Sequence, residues 1–441
     1  MLNRKHTRTL PLALAAAAFC APAAYGQTYS VLYQEGQALS GVGNWVNFAA
    51  VEVNNLGQTL VFGDTDAATT ADAVLVFDGA VIQREGDSIQ PPDAIFTSAG
   101  RVSLNNLGNF ASDYNFDGPF GADDDSGIYY NGNLVLQGGQ PFDAPGAPSD
   151  SIWIGFFGTH LASTPTTQML LLGSTETPTG GLQRALTILT LDGSGALASQ
   201  QIVGLEGVAL PGMTDPVEDF ETDQNEFAFN NNGVALFAAH TTGATTSDSF
   251  IYLTGTGVIA QEGSPSPVAG RNWDSLASMH VALNDNGDWA HLGHLAGGST
   301  TDDHVIIRNG SVFVAEGDAV PGLPDRVFDN LASAEFVMDD AGNLLWVGEF
   351  DAPSSAEDRG LFYNHTLLLQ EGVSTIDGLT VTTLNTVAET LAISDDGRFA
   401  IIDLTLDGSL DTVVMIAIPE PSAVALLAGA PLALLRRRRR A

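Results

Sequence analysis

A glycine, mostly in a Gln-Glu-Gly or Glu-Gly-Asp setting, returns seven times along the chain, at Gly36, Gly86, Gly138, Gly207, Gly263, Gly317 and Gly372. The intervals are 50, 52, 69, 56, 54 and 55 residues. Recurrence at that period marks one supersecondary unit copied along the chain, each copy burying its apolar face only against its neighbours. The 441 residues are therefore expected to form one large repeat domain rather than the two or three that length alone suggests.

A second mark runs in phase with the first: Asn54-Asn55-Leu56-Gly57, Asn105-Asn106-Leu107-Gly108, Asn231-Asn232-Gly233, Asn284-Asp285-Asn286-Gly287, Asp339-Asp340-Ala341-Gly342 and Ser394-Asp395-Asp396-Gly397. Each lies between two apolar runs, as in a tight hairpin whose glycine takes positive φ. Residues 45 to 86 show a whole unit. Strands are predicted at Trp45 to Val53, Thr59 to Gly63, Ala73 to Phe77 and Ala80 to Arg84, the content of one propeller blade. The last copy has runs at Leu379 to Thr386, Phe399 to Thr405 and Thr412 to Ile418, but no fourth strand. Its missing strand stands at the other end of the chain, at Tyr29 to Gln34, before Glu35-Gly36. The fold class is thus all-β: a seven-bladed β-propeller of four-stranded antiparallel blades over residues 27–418, the last blade closed by the N-terminal strand. A β-solenoid is the alternative, disfavoured because its coils are usually shorter and its strands parallel.

The turns resemble the Asn-x-x-Gly-x-x-Ala-Phe tandem repeat of bacterial surface proteins, most clearly at Asn54, Asn105, Asn230 and Asn284. The pattern departs at Asp339 and Ser394, and the copy between Gly138 and Gly207 lacks it, with Ser163 to Thr167 as its turn. That resemblance implies a repeat and no particular activity.

Hydrophobic residues make up 44% of the chain and glycines number 48, so the formal charge of −36 belongs to an ordered, turn-rich, acidic β protein rather than a disordered one. Eight of the sixteen basic residues, Arg4, Lys5, Arg8 and Arg436 to Arg440, sit in the terminal segments; the stretch between Arg8 and Arg436 carries 8 basic against 52 acidic residues, or −44. Nucleic acid and anionic lipid headgroups need clustered Lys and Arg, so both are poor partners for this body and no nucleic acid is expected.

Residues 1–26 read as a secretory signal: basic Arg4, Lys5 and Arg8, an apolar run from Leu10 to Phe19, then small residues up to a cleavage point after Gly26. Signal peptidase is the implied processing enzyme. Cys20 is the only cysteine, so the mature chain holds no disulfide. Residues 419–441 consist of Pro419-Glu420-Pro421, an apolar stretch from Ala423 to Leu435, then Arg436, Arg437, Arg438, Arg439 and Arg440. This tail resembles the PEP-CTERM sorting signal of Gram-negative bacteria. The resemblance implies export, transient anchoring in the inner membrane, cleavage near the tripeptide by an exosortase, and a final place in the cell envelope or outside the cell. Thirteen apolar residues give about 20 Å of helix against a hydrocarbon core of roughly 30 Å, which suits a transient anchor.

Chemistry is written less plainly. The predicted loops between second and third strands begin and end in ligand-capable residues: Asp64 to Asp72, Asn115 to Asp125, His240 to Asp248, His294 to Asp303, Glu349 to Asp358 and Asp403 to Asp411. Variable loops on a repeated scaffold are where binding residues concentrate. Asp113-Tyr114-Asn115-Phe116-Asp117-Gly118 has the Asp-x-Asn-x-Asp-Gly form of a calcium loop, with Asp124 at the twelfth position, so Asp113, Asn115, Asp117 and Asp124 are the candidate Ca²⁺ ligands. His291 and His294, with Asp302, Asp303 and His304 nearby, suggest zinc or another transition metal, but three apart on a strand the two imidazoles point to opposite faces and are not expected to share one. No nucleophile elbow, cysteine nucleophile or phosphate-binding glycine loop is present, and no catalytic residue or organic cofactor is expected. Trp153, Phe156, Phe157, Trp273, Trp289 and Trp346 are expected to pack between blades. The expectation is a non-catalytic exported propeller that binds a glycan, such as an exopolysaccharide, or a surface protein through its loop face, with Ca²⁺ as the candidate cofactor. The alternatives are a hydrolase or lyase acting on extracellular polysaccharide, and a structural biofilm component.

Overall fold

The computed structural model describes residues 26–419, apart from residues 165, 223–225, 277–278 and 388. The signal segment up to residue 25 and the sorting signal from Glu420 onward lie outside the described residues. Among the described residues no helix is long and apolar enough to cross a membrane.

Seven antiparallel sheets follow one another from Thr28 to Ile418 as the blades of a propeller. Blade 1 is Gly43–Val53, Thr59–Thr65, Ala73–Phe77 and Ala80–Arg84, paired in that order. In blade 7 the order runs from Leu379–Leu384 through Phe399–Leu406 and Leu410–Ala417 to Thr28–Gln34, so the first strand of the chain closes the last sheet. Its register, Tyr29 opposite Ile416 and Gln34 opposite Thr412, is antiparallel and carries one bulge. The solenoid alternative is excluded by this topology.

The repeated glycine is the crossing point between blades. With positive φ, its N–H donates to the carbonyl that opens the next blade's innermost strand: Gly36 to Trp45 (2.8 Å), Gly86 to Phe96 (2.9 Å), Gly207 to Val217 (2.8 Å), Gly263 to Trp273 (2.9 Å), Gly317 to Phe328 (2.7 Å) and Gly372 to Val381 (2.8 Å). In the second copy this residue is Gly139, which bonds to Trp153 (2.6 Å), and not the predicted Gly138. Only Gly139 of the pair has positive φ; Gly138 stands where other copies carry glutamate.

Buried apolar clusters lie between neighbouring blades all the way round, including one of Trp45, Phe48 and Val61 with Ile401 and Val413 that joins blade 1 to blade 7. Trp153, Trp273 and Trp346 are buried in these seams, and Phe156, Phe157 and Trp289 pack against them half-buried. The ring is held by seams rather than by one central core, as a repeat that cannot bury its face alone requires.

Candidate functional site

The innermost strands surround the axis, and the order of four antiparallel strands puts first-to-second and third-to-fourth turns on one face. The second-to-third loops and blade crossings lie on the other. The two faces are built differently.

On the turn face, each first-position asparagine does two jobs. Asn230 Oδ1 accepts the N–H groups of Asn232 (3.0 Å) and Val234 (3.1 Å), closing its own turn, while Nδ2 donates to the Asn284 carbonyl of the next blade (2.9 Å). Asn54, Asn105 and Asn284 donate in the same way to Asn105, Ala162 and Asp339 carbonyls. Second-position residues form a further closed ring. Backbone N–H groups of Asn55, Asn106, Ser163, Asn231 and Asp285 donate to side chains of Asn106, Ser163, Asn231, Asp285 and Asp340 in turn; Asp340 N–H donates to the Asp395 carbonyl, and Asp396 N–H returns to Asn55 Oδ1. Asp285, Asp340 and Asp395 thereby bring carboxylate oxygens within 4.8 Å of one another. Burial, then Asp340 and Asp285, push the Asp395 carboxyl up to about 7.

Inside the channel Arg101 is the plug. It emerges from a bulge in the inner strand of blade 2 and pairs with Glu389 of blade 7 at 3.2 Å, its guanidinium also over the Phe227 ring of blade 4 at 5.0 Å. Gly158 makes room for it: a Cβ there would stand 3.1 Å from Arg101 Cβ and Cδ. Burial pulls the guanidinium's pKa down, against the opposing pull of Glu389, Glu52, Glu335 and Asp113. Burial pushes Glu52 up to about 8 and Asp113 up to about 7, and it drives Glu389 well above and His160 well below their ordinary values. A cavity of about 180 Å³ lined by Glu52, Arg101, Ser103, His160, Glu389 and Asp395 remains. That is below the roughly 300–1,000 Å³ of typical small-molecule sites.

On the loop face the scaffold repeats and the side chains do not. Every innermost strand carries a bulge at the same place, between Trp45 and Asn47, Phe96 and Ser98, Trp153 and Gly155, Val217 and Asp219, Trp273 and Ser275, Phe328 and Asn330, and Val381 and Thr383. Beside it, the end of the second strand faces the start of the third. The facing pairs are Asp64 and Ala73, Asn115 and Ser126, Ser174 and Arg184, His240 and Ser249, His294 and His304, Glu349 and Arg359, and Thr405 and Asp411. The repeat glutamate fixes this corner from below: Glu316 Oε2 accepts from Asp303 N–H (2.7 Å) and His304 N–H (2.9 Å), and Oε1 from Leu331 N–H of the next blade (2.8 Å). Glu85, Glu206 and Glu262 support their own third strands likewise.

The proposed calcium ligands are not brought together. Phe110–Asp117 is a strand, so Asp113, Asn115 and Asp117 succeed one another on alternate positions along it, about 6.6 Å per step. Asp113 is buried near Arg101, whereas Asn115 donates to Ser98 Oγ at 3.1 Å and Asp117 is exposed. Asp124 lies beyond, after the loop, its N–H on the Gly121 carbonyl (3.2 Å). His291 is buried between Trp273 and Trp289 and held neutral, its pKa lowered to about 4 by burial, while His294 joins Asp303 and His304 instead. The sequence signal for Arg101 was available: one of eight arginines in the acidic body, set four residues before the Asn105 turn.

Fold and channel together define a closed seven-bladed propeller with a plugged axis. Residues 25–425 match the model of a family of unknown function, DUF7453, and the chain belongs to that family. No curated protein matches the sequence. Among solved structures it is similar to Trypanosoma rangeli sialidase, at 8% identity and a TM-score of 0.34 over 94% of this chain and 62% of that one. The same sialidase in complex with sialic acid gives 8% identity and 0.34 over 89% and 59%. The chain thus spans about three fifths of the sialidase's length, and a likeness of this extent transfers neither a site nor a reaction.

Proposed function

We propose that this is an exported cell-envelope or matrix protein, a non-catalytic propeller that binds a glycan or protein partner through its loop face. The observation that carries this reading is the contrast at the seven facing pairs: bulge, glycine and glutamate recur, whereas the paired side chains range from Asp64 and Ala73 to His294 and His304 to Glu349 and Arg359. Repetition of the scaffold with variation at the second-strand ends, from Asp64 to Thr405 all half-buried or exposed, is what a binding surface on a rigid frame requires. The plugged, narrow channel favours recognition across the face over entry into the axis. Export and exosortase processing rest on the terminal signals, with Pro419, Glu420, Pro421 and the arginine run as the sorting determinants.

A glycan-array screen of the purified chain, with and without Ca²⁺, tests the reading. Binding is expected that weakens at least about tenfold in Glu349→Ala or Thr405→Ala, a loss of roughly 1.4 kcal/mol typical of a contributing interface residue. Chain cleavage of a bound polysaccharide would replace the binding reading with the hydrolase or lyase. Silence on every glycan, together with no protein captured from the native cell surface, would favour a structural biofilm component.

A further inference from the structure

The corner of blade 5 differs from its six counterparts in one respect: both facing positions are histidine. Their imidazole centroids are 4.8 Å apart at 35°, and Asp303 lies against both rings, Oδ2 3.4 Å from His294 Nε2 and Oδ1 2.7 Å from His304 Nδ1. Each of the three offers a ligand atom within 4.8 Å of the others. The fold does not demand these imidazoles, since the equivalent places hold Asp64 with Ala73 in blade 1 and Glu349 with Arg359 in blade 6.

We propose that His294, Asp303 and His304 bind a divalent transition-metal ion of the zinc class. Two imidazole nitrogens and a carboxylate are the donor set such an ion selects, with a fourth position left for water or a partner's group. Bonds of about 2.0–2.1 Å in a tetrahedron place neighbouring donors about 3.3 Å apart; Asp303 Oδ2 already stands 3.4 Å from His294 Nε2, whereas His304 lies against Oδ1, so its ring must shift to share the oxygen that binds. The outer partners are in place. Asp274 Oδ2 stands 3.1 Å from His294 Nδ1, the carboxylate–histidine arrangement that fixes a ligand's tautomer and leaves Nε2 for the metal. Glu316, whose side chain is fully buried, holds the backbone of both Asp303 and His304. Each ring coordinates as neutral imidazole, so the ion's charge is set into an acidic corner.

The test is titration of the chelator-treated full chain with Zn²⁺ by calorimetry, and with Co²⁺ by visible absorption. One equivalent is expected, with the intense d–d bands of low-coordinate Co²⁺ carrying nitrogen ligands. Affinity is expected to fall beyond detection in His304→Ala and His294→Asp, the residues that blade 1 tolerates at these places, and about 10–100-fold in Asp274→Asn. Exposed His365→Ala is the control and is expected to change nothing. Absence of a stoichiometric site, the same affinity in His304→Ala and His294→Asp with unaltered metal-free melting, or weak octahedral Co²⁺ bands would each overturn the proposal. The Co²⁺ spectrum of the unmodified chain decides the matter even where a variant does not fold.

Discussion

At the scale of single residues, the first position of the turn is asparagine for a reason that aspartate cannot meet. Asparagine supplies an acceptor to its own turn and a donor to the next blade; aspartate supplies acceptors alone. Asp339 is tolerated because its Oδ2 receives the Tyr363 hydroxyl at 2.7 Å and Asn343 Nδ2 at 2.8 Å. The corresponding residues in blade 4 are Leu253 and Val234, neither of which has a side-chain donor. Asn230→Asp therefore loses the 2.9 Å bond to the Asn284 carbonyl and sets a buried carboxylate against it. Urea denaturation is expected to show a loss of about 1–3 kcal/mol for Asn230→Asp, with more if the charge persists. Asp339→Asn is expected within about 0.5 kcal/mol of the unmodified chain, since its new amide can face the Tyr363 oxygen. Equal effects of the two substitutions would show that the side-chain link between blades contributes nothing.

At the scale of elements, the chain's first strand is the clasp of the ring. Thr28–Gln34 pairs along Leu410–Ala417, its Tyr29 hydroxyl donates to the Leu368 carbonyl of blade 6 at 2.9 Å, and Leu32 and Tyr33 pack into the seam with blade 1. A chain beginning at Gly36 would expose the edge of Leu410–Ala417 and lose four partly buried large side chains, each worth up to about 1.5–3 kcal/mol when fully buried. Size-exclusion chromatography is expected to show association through that edge. Moving Thr28–Gln34 behind Ile418 through an Asn-Gly hairpin is expected to restore a monomer with the original melting temperature, because Thr28 already lies opposite Ala417. A permuted chain that stays unstable would mean that closure needs the termini where they are. This split blade was legible in the sequence because turns and crossings impose local conformations, positive φ at Gly36 and Gly86 and a self-capping Asn54, that only certain residues satisfy. Contacts set by register were not. His294 and His304 meet because a loop of particular length returns the third strand to that pairing, and Arg101 reaches Glu389 across 288 positions. The calcium pattern lies on a strand for the converse reason: Tyr114 and Phe116 alternate inward, so the segment is extended through the spacing that a loop would need.

At the scale of the whole molecule, the excess of acid is partly stored inside the ring, and this fixes the sign of its response to pH. Burial pushes Glu52 up to about 8 from 4.5, and Asp113, Asp395 and Asp403 up to about 7 from 3.8. Each binds its proton more tightly folded than unfolded, so its contribution is full below the unfolded pKa and lost as pH rises through the folded one. His304, raised by Glu316 and Asp303 against the effect of burial, acts in the same direction. His291, lowered to about 4, and His160 act oppositely: their contribution is present above 6.5 and lost as pH falls. Between pH 6.5 and 8 the first set loses its contribution while that of His291 and His160 is already present, and repulsion within a strongly acidic body adds to the loss. The melting temperature is therefore expected to fall across that window, by up to about 1.4 kcal/mol of stability per pH unit for each participating group. Glu52 lines the same cavity as Arg101 and Asp395, and Glu52→Gln keeps its shape while removing the titration. That variant is expected to melt with a shallower dependence on pH and to gain most at pH 8, as followed by circular dichroism. A melting temperature that rises from pH 6.5 to 8, or a Glu52→Gln profile parallel to that of the unmodified chain, would place the interior charge elsewhere than around the Arg101 plug.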